Sequence, residues 1–160
     1  MNEERLNILK EKLKSYEVEY SDVSGTIQLI VLKEDVVHIC NILKYDEDFK
    51  FDLLIDEFGV DRYTKENRFE VIVNLWSEKY KDRIFVKIKL DTKNPEMPTL
   101  TSVWKASNFN ERECYDMFGI QFTGHPDLRR IYMPENFEYH PLRKDFPLMG
   151  IPSSLDLPKK

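Results

Sequence analysis

The chain has 160 residues, of which 41% are apolar and 33% are charged, and its formal net charge is −5. This composition is sufficient for one folded domain with a core and excludes global disorder. The acidic balance argues against broad nucleic-acid binding. The longest apolar run, 27–32 with one glutamine, is far shorter than the about 20 residues of a membrane-spanning helix. We therefore expect no nucleic-acid partner and no direct membrane insertion.

The first third of the chain alternates between helical and strand patterns. Leucines at helical spacing predict a helix over 3–16, and a β-rich stretch after a Ser-Gly turn predicts a strand over 26–32. A second helix is predicted over 34–44, with Cys40 on its apolar face. Residues 50–61 fit either structure, and we predict a strand because apolar residues alternate at its start.

Two strands with clear alternation come next. Every second residue is apolar over 69–75 and again over 84–90, and the polar segment between them predicts a β-hairpin. Alternation of this kind is typical of a sheet with one covered face and one solvated face. The mixed order of elements predicts an α+β fold, a small mixed or antiparallel β-sheet with helices packed on one side.

A third helix is predicted over 100–118. Asn108 and Glu111 have the spacing of a capping box within it. Gly119 follows the apolar end of this helix, where a glycine C-cap is expected. We predict a globular domain over 1–119.

The remaining segment, 120–160, differs in composition. It holds six of the eight prolines, which exclude a long helix or a central strand. It is also rich in aromatic, aliphatic and arginine residues, the types enriched at the cores of protein interfaces. We interpret it as an extended proline-rich docking tail that orders on a partner's surface. The alternative is that it folds back over its own sheet.

Candidate metal-binding or catalytic residues cluster in this region, but without a recognised ligand spacing. Both histidines precede proline, which favours extended backbone and a positioning role. Carboxylates near Cys114 would raise the pKa of its thiol, which favours a core cysteine over a nucleophile. The arginines of the tail sit among apolar residues, which favours an interface. The candidates are Glu111, Glu113, Cys114, His125 and His140.

Two long blocks of the sequence resemble the signature of the 30-kDa subunit family of respiratory complex I. The first is ERECYDMFGI at 111–120, continued by HPDLRRI at 125–131, and the second is HPLRKDFPL at 140–148. A similarity also covers 61–63 and 69–77. The resemblance implies that the signature residues bind partner subunits and that none is catalytic, cofactor-binding or metal-binding. These residues are Glu111, Arg112, Glu113, Asp116, Gly119, His125, Pro126, Leu128, Arg129, Arg130, His140, Pro141, Leu142, Arg143, Lys144 and Asp145.

The resemblance further implies a role. Such a chain is a non-catalytic subunit of the peripheral arm of a proton-pumping NADH-quinone oxidoreductase. It carries no cofactor itself, whereas the complex holds FMN, iron–sulfur clusters and quinone. Its expected partners are the large quinone-site subunit of the 49-kDa type and a small iron–sulfur subunit, on the cytoplasmic side of the plasma membrane.

Two alternatives remain open. The same module occurs in membrane-bound hydrogenase or formate-hydrogenlyase-like complexes, which the tail motifs do not distinguish from complex I. The candidate residues above also leave a stand-alone metallo- or cysteine enzyme as an alternative of a different class.

Overall fold

The computed structural model describes residues 2–147. Most of the elements coincide with predicted ones, whereas β1, β6 and β7 were not predicted from the sequence. The elements in chain order are α1 (Glu3–Lys12), β1 (Val18–Val23), β2 (Thr26–Val31), α2 (Val36–Tyr45), β3 (Leu53–Asp61), β4 (Phe69–Ser77), β5 (Asp82–Leu90), β6 (Glu96–Pro98), α3 (Ser107–Phe118) and β7 (Gln121–Thr123).

Five of these strands form one mixed sheet in the order β1-β2-β5-β4-β3. β2 and β5 are parallel, and the other neighbours are antiparallel. The predicted hairpin is therefore confirmed as β4–β5. The short strands β6 and β7 pair in parallel as a separate ribbon. This architecture confirms the predicted α+β fold class.

The core lies on one face of the sheet. Val71 pairs with Ile88 and Val73 with Val86, so the alternating apolar rows of β4 and β5 form one continuous surface that is fully buried. The buried leucines of α1 and the apolar face of α2, which includes Cys40, belong to the same core. This packing confirms the strand faces that the alternation predicted.

The start of α3 differs from the prediction. Residues 100–106 form turns and not helix, because the N–H groups of Val103 and Trp104 both bond to the carbonyl of Leu100. The predicted capping box is wrong. Ala106 occupies the N-cap position without a side-chain hydrogen bond, and Glu111 accepts hydrogen bonds from the preceding loop instead.

Glycine lets α3 approach the edge strand β3 closely. A Cβ atom on Gly59 would lie 2.7 Å from the ring of Phe118 and 3.3 Å from Ile120. The thiol of Cys114 lies 3.8 Å from the carbonyl oxygen of Glu57. The absence of a side chain at Gly59 therefore sets the distance between the helix and the sheet.

Two carboxyl groups are buried where α3 packs on β3. Glu57 is 2% exposed and Glu111 is fully buried. Glu111 accepts hydrogen bonds of 2.6 Å from Thr99 Oγ1 and from Leu100 N. Neither carboxyl oxygen of Glu57 has a hydrogen-bond partner within residues 2–147. Burial and the neighbouring Glu111 raise the pKa of Glu57 well above its usual value, and burial raises the pKa of Glu111 to about 7.

The other groups around Glu57 do not reverse this shift. Asp56 raises the pKa of Glu57 further. The Ser107 hydroxyl lowers it, although its oxygen does not meet hydrogen-bond geometry. Glu57 in turn raises the pKa of the buried thiols of Cys40 and Cys114. Glu57 is therefore buried as the neutral acid at neutral pH.

These carboxyl groups predict a pH-dependent stability. Both have folded-state pKa values above their usual 4.5, so above that pH the folded chain holds more protons than the unfolded chain, and the free energy of unfolding falls as the pH rises. We expect Glu57→Gln to stabilise the protein by about 1–2 kcal/mol at pH 8, since a buried unpaired polar group costs that much. The effect should nearly vanish at pH 5, as measured by thermal denaturation.

The matched control is Glu135→Gln, since Glu135 is exposed. It should change the melting temperature at neither pH. An equal shift for Glu57→Gln at both pH values would show that Glu57 does not titrate in this range.

Candidate partner-binding site

Asp116, near the C-terminal end of α3, organises the segment that follows β7. Its Oδ2 accepts hydrogen bonds from the backbone N–H groups of Ile131, Tyr132 and Met133 at 2.7–3.0 Å. Its Oδ1 pairs with the Arg130 guanidinium at 2.6 Å. Burial alone would raise the pKa of Asp116, but these donors together hold it below its usual value. A buried carboxylate therefore fixes the backbone of residues 131–133.

The second signature block caps the same end of α3. His140 Nδ1 donates to the carbonyl of Asp116 at 2.9 Å, and the backbone N–H of Leu142 donates to Met117 at 3.1 Å. Arg143 Nε donates to Phe118 at 2.6 Å. These carbonyls belong to the last turn of the helix, which has no partners within the helix. Burial lowers the pKa of His140, which favours the neutral ring with its proton on Nδ1.

Gly119 has two reasons to be glycine. Its φ of 74° is left-handed, which confirms the predicted C-cap. A Cβ atom there would also collide with the side chains of His140 and Arg143. The helix end and the second block can therefore meet only over a glycine.

Asp61, the last residue of β3, holds the second block from the other side. Arg68 pairs with both of its carboxylate oxygens at 2.8 and 2.7 Å, and the N–H of Lys144 donates to Oδ2 at 2.8 Å. Burial alone would raise the pKa of Asp61, but Arg68, Lys144 and the N–H of Tyr63 lower it to about 2. Arg68 also pairs with Asp145 at 2.8 Å. Residues 140–145 are thus held between α3 and β3.

The first signature block is likewise bonded internally. Arg112 donates to the carbonyls of Arg129 and Arg130 at 3.1 and 3.2 Å. His125 Nε2 contacts the carbonyl of Asn108 at 3.1 Å, and Asp127 N donates to His125 Nδ1 at 3.0 Å. We call the whole set of contacts that ties residues 125–145 to α3 and β3 the latch.

The structure separates the predicted site residues into two groups. Asp116, Gly119, Arg130 and Arg143 make intramolecular contacts in the latch, and Glu111 is buried at the start of α3. Leu128 is partly buried against the core, and Pro141 is half-buried. The outward-facing members are Glu113, Pro126, Arg129, Leu142, Lys144 and Asp145. Partner binding by these sixteen residues stays a prediction.

Two expectations about this segment change. Arg129 and Arg130 were interpreted together as interface arginines, but Arg130 is 10% exposed in its pair with Asp116, whereas Arg129 is 64% exposed. The described part of the tail, 120–147, also contacts its own domain extensively, as the alternative interpretation expected. Ile120 and Phe122 are core residues. Residues 148–160 of the predicted tail lie outside the described residues.

Sequence reasoning missed several residues of this site. Asp61 and Arg68 form the second anchor, and the exposed side chains of Phe109, Tyr132 and Tyr139 accompany Leu142 on the surface. Lys144 follows Asp61 by 83 residues, so no local pattern joins them. The only available signal was the charged Asp61-Arg62-Tyr63 stretch within the resemblance.

The cysteines and histidines do not assemble into a reactive site. Cys40 and Cys114 are free and buried, and burial raises the pKa of both thiols. Within residues 2–147, no group of three or more His, Cys, Asp or Glu side chains has an arrangement that could hold a metal ion. These residues therefore do not provide the constellation that a stand-alone metallo- or cysteine enzyme requires.

Two solved structures share this fold. The trypsin-resistant fragment (1-134) of Nqo5 superposes with a TM-score of 0.60 at 32% identity, covering 78% of this chain and 99% of the fragment. A chain of an archaeal respiratory membrane complex, the membrane-bound sulfane sulfur reductase, superposes with a TM-score of 0.78 at 23% identity, covering 92% of this chain and 86% of that chain. The second similarity is one of fold alone. In the described part of the chain, no helix is long and apolar enough to cross a membrane.

Sequence comparison identifies the family. The model of the respiratory-chain NADH dehydrogenase 30 Kd subunit matches residues 29–152. The NADH-quinone oxidoreductase C 2 subunit of Rhizobium meliloti (strain 1021) is 47% identical over 132 residues, 82% of this chain and 72% of the relative. The corresponding C-type subunit of Geotalea uraniireducens (strain Rf4) is 42% identical over 142 residues, 89% of this chain and 85% of the relative. The chain therefore belongs to the family of the 30-kDa subunit of the respiratory-chain NADH dehydrogenase.

Proposed function

We propose that this chain is a non-catalytic peripheral-arm subunit of a proton-pumping NADH-quinone oxidoreductase. Its C-terminal segment docks on the large quinone-site subunit, beside a small iron–sulfur subunit, on the cytoplasmic side of the plasma membrane. FMN, iron–sulfur clusters and quinone belong to the other subunits. The observation that carries this proposal is the latch, which immobilises residues 130–145 while leaving Tyr139 and Leu142 exposed on its outer side.

The latch prepares this surface for binding. Ordering a backbone residue costs roughly 1–2 kcal/mol, and a segment that is already ordered does not lose this free energy again when it binds. Tyr139 is 44% and Leu142 53% exposed, although both flank residues whose backbones are held by α3. Apolar side chains on a fixed backbone are the usual anchors of tight interfaces.

The polar groups of the latch are used for positioning. Asp116 and Asp61 are saturated by backbone and guanidinium donors, and their low pKa values make them poor proton acceptors at neutral pH. His140 uses its Nδ1 proton to cap α3. These groups therefore hold the segment in place and do not act on a substrate.

The first test concerns the exposed anchors. We expect Tyr139→Ser combined with Leu142→Ser to reduce co-purification of the large subunit at least about tenfold, since truncated interface anchors typically cost 2 kcal/mol or more. The melting temperature of the isolated chain should stay unchanged. The measurement is affinity purification of tagged full-length chain from membranes, with its partners identified by mass spectrometry.

The matched control replaces Leu32 and Tyr45 by serine, since both are similarly exposed but lie at the end of β2 and of α2. It should keep all partners. Unchanged partners in the Tyr139/Leu142 variant would contradict docking through this surface. Hydrogenase subunits in place of NADH-oxidising ones would instead identify the related membrane-bound complex.

The second test concerns the latch itself. In Asp116→Asn, one amide faces three N–H donors and leaves Arg130 unpaired, which should cost about 3 kcal/mol. The open form of residues 130–147 should then be populated on the order of 100-fold more. Trypsin cleavage of the folded full-length chain after Arg130 and Arg143 should accelerate by a similar factor, and partner retention should fall.

Asp127→Asn is the control, because the pair of Asp127 with Arg129 is exposed. Its cleavage rate should match that of the unmodified chain. If Asp116→Asn cleaves no faster than this control, Asp116 does not hold the segment in place.

A further inference from the structure

The outer side of α3 carries a second exposed surface that the latch does not use. Phe109 and Tyr132 are each 61% exposed. The Arg112 guanidinium lies over the ring of Phe109, 5.6 Å from its centroid, and the hydroxyl of Tyr132 donates to Glu113 at 3.0 Å. We call Phe109, Arg112 and Tyr132 the aromatic–arginine face.

Arg112 is held rigidly but its charge is not neutralised. Both of its hydrogen bonds go to neutral carbonyl groups, those of Arg129 and Arg130. Nearby carboxylates are engaged elsewhere, since Asp127 pairs with Arg129 and Glu113 accepts the bond from Tyr132. Among the ion pairs of the described residues, Arg112 has no carboxylate partner. Its position contrasts with that of Arg130, which is buried against Asp116.

A fixed guanidinium beside exposed aromatic rings is suited to one kind of ligand. Its planar donors match the two oxygens of a carboxylate. Aromatic rings that exclude water around such a contact strengthen it, and residues of these types dominate the energetics of protein interfaces. The exposed rings also provide apolar contact area next to the charge.

We propose that the aromatic–arginine face binds an aspartate or glutamate side chain of a second partner subunit, distinct from the one that takes Tyr139 and Leu142. This proposal rests on the proposed function, in which the chain is part of a larger complex. Phe109 lies nine residues before Phe118 on α3, which corresponds to about 14 Å along a helix. The chain thus presents one docking surface at the C-terminal end of α3 and another near its beginning.

The test places a photo-crosslinking amino acid at position 109, and in a second strain at position 139, of the full-length chain in the assembled complex. Position 109 should crosslink to a peptide with an aspartate or glutamate, in a different partner from the one that is crosslinked at 139. Arg112→Gln should lower the yield at position 109 at least tenfold and leave that at 139 unchanged. A crosslinker at Tyr45, exposed on α2, controls for random contacts.

Other results overturn the proposal. These are a crosslink from 109 to a second copy of this chain, to the same partner that is crosslinked at 139, to a peptide without acidic residues, or to nothing in the intact complex. If Arg112 only supports residues 129 and 130, Arg112→Gln lowers the melting temperature while the yield at 109 persists. No crosslinked partner at 139, with the expected product at 109, would refute the docking surface of the proposed function and leave this inference standing.

Discussion

The carboxylate of Asp116 is the interaction on which the arrangement of this protein depends. It is buried at the end of α3, where a charge without partners would be very costly, and the segment 130–133 supplies four donors to it. The same end of the helix exposes carbonyl groups that need donors, and His140, Leu142 and Arg143 supply these. One helix end therefore needs the segment, and the segment, which has few contacts of its own, needs the helix end.

This mutual dependence changes the meaning of the signature residues. A residue such as Arg143, whose pKa is lowered by burial, and which lies over the ring of Phe69, supports the shape of the surface without reaching a partner. The side chains left outside are fewer, and they are mainly aromatic or aliphatic. Binding energy would come from these exposed groups, whereas the signature residues determine where they stand.

The junction of α3 with β3 is the opposite case. There the polar groups are buried without full compensation, as the unpaired carboxyl of Glu57 and the hydroxyl of Ser107 show. Protonation is the least costly way to bury such a carboxyl group. The two halves of α3 are therefore held in different ways, by neutralised acid near its beginning and by a saturated carboxylate near its end.

The sequence by itself determined the features that depend on neighbours in the chain. Alternation identified the buried rows of β4 and β5, because side-chain direction in a strand has a period of two, and Gly119 marked the end of α3 because only local backbone geometry is involved. The proline spacing correctly excluded helix from the described residues after 123. The resemblance of two motifs indicated the family, which the family match confirmed.

Only the tertiary structure decided where the segment lies and which of its residues remain exposed. The contact of Lys144 with Asp61 is made by a backbone N–H, which every residue except proline possesses, so the side-chain sequence cannot announce it. The pairing of β6 with β7 likewise joins residues 96–98 to 121–123 across the whole of α3. Glu111 had the spacing of a helix cap but bonds to Thr99 and Leu100 instead, because the loop before α3 folds back over it. Hydrogen-bond donors and acceptors are matched in space, and local sequence patterns record only those matches that are close along the chain.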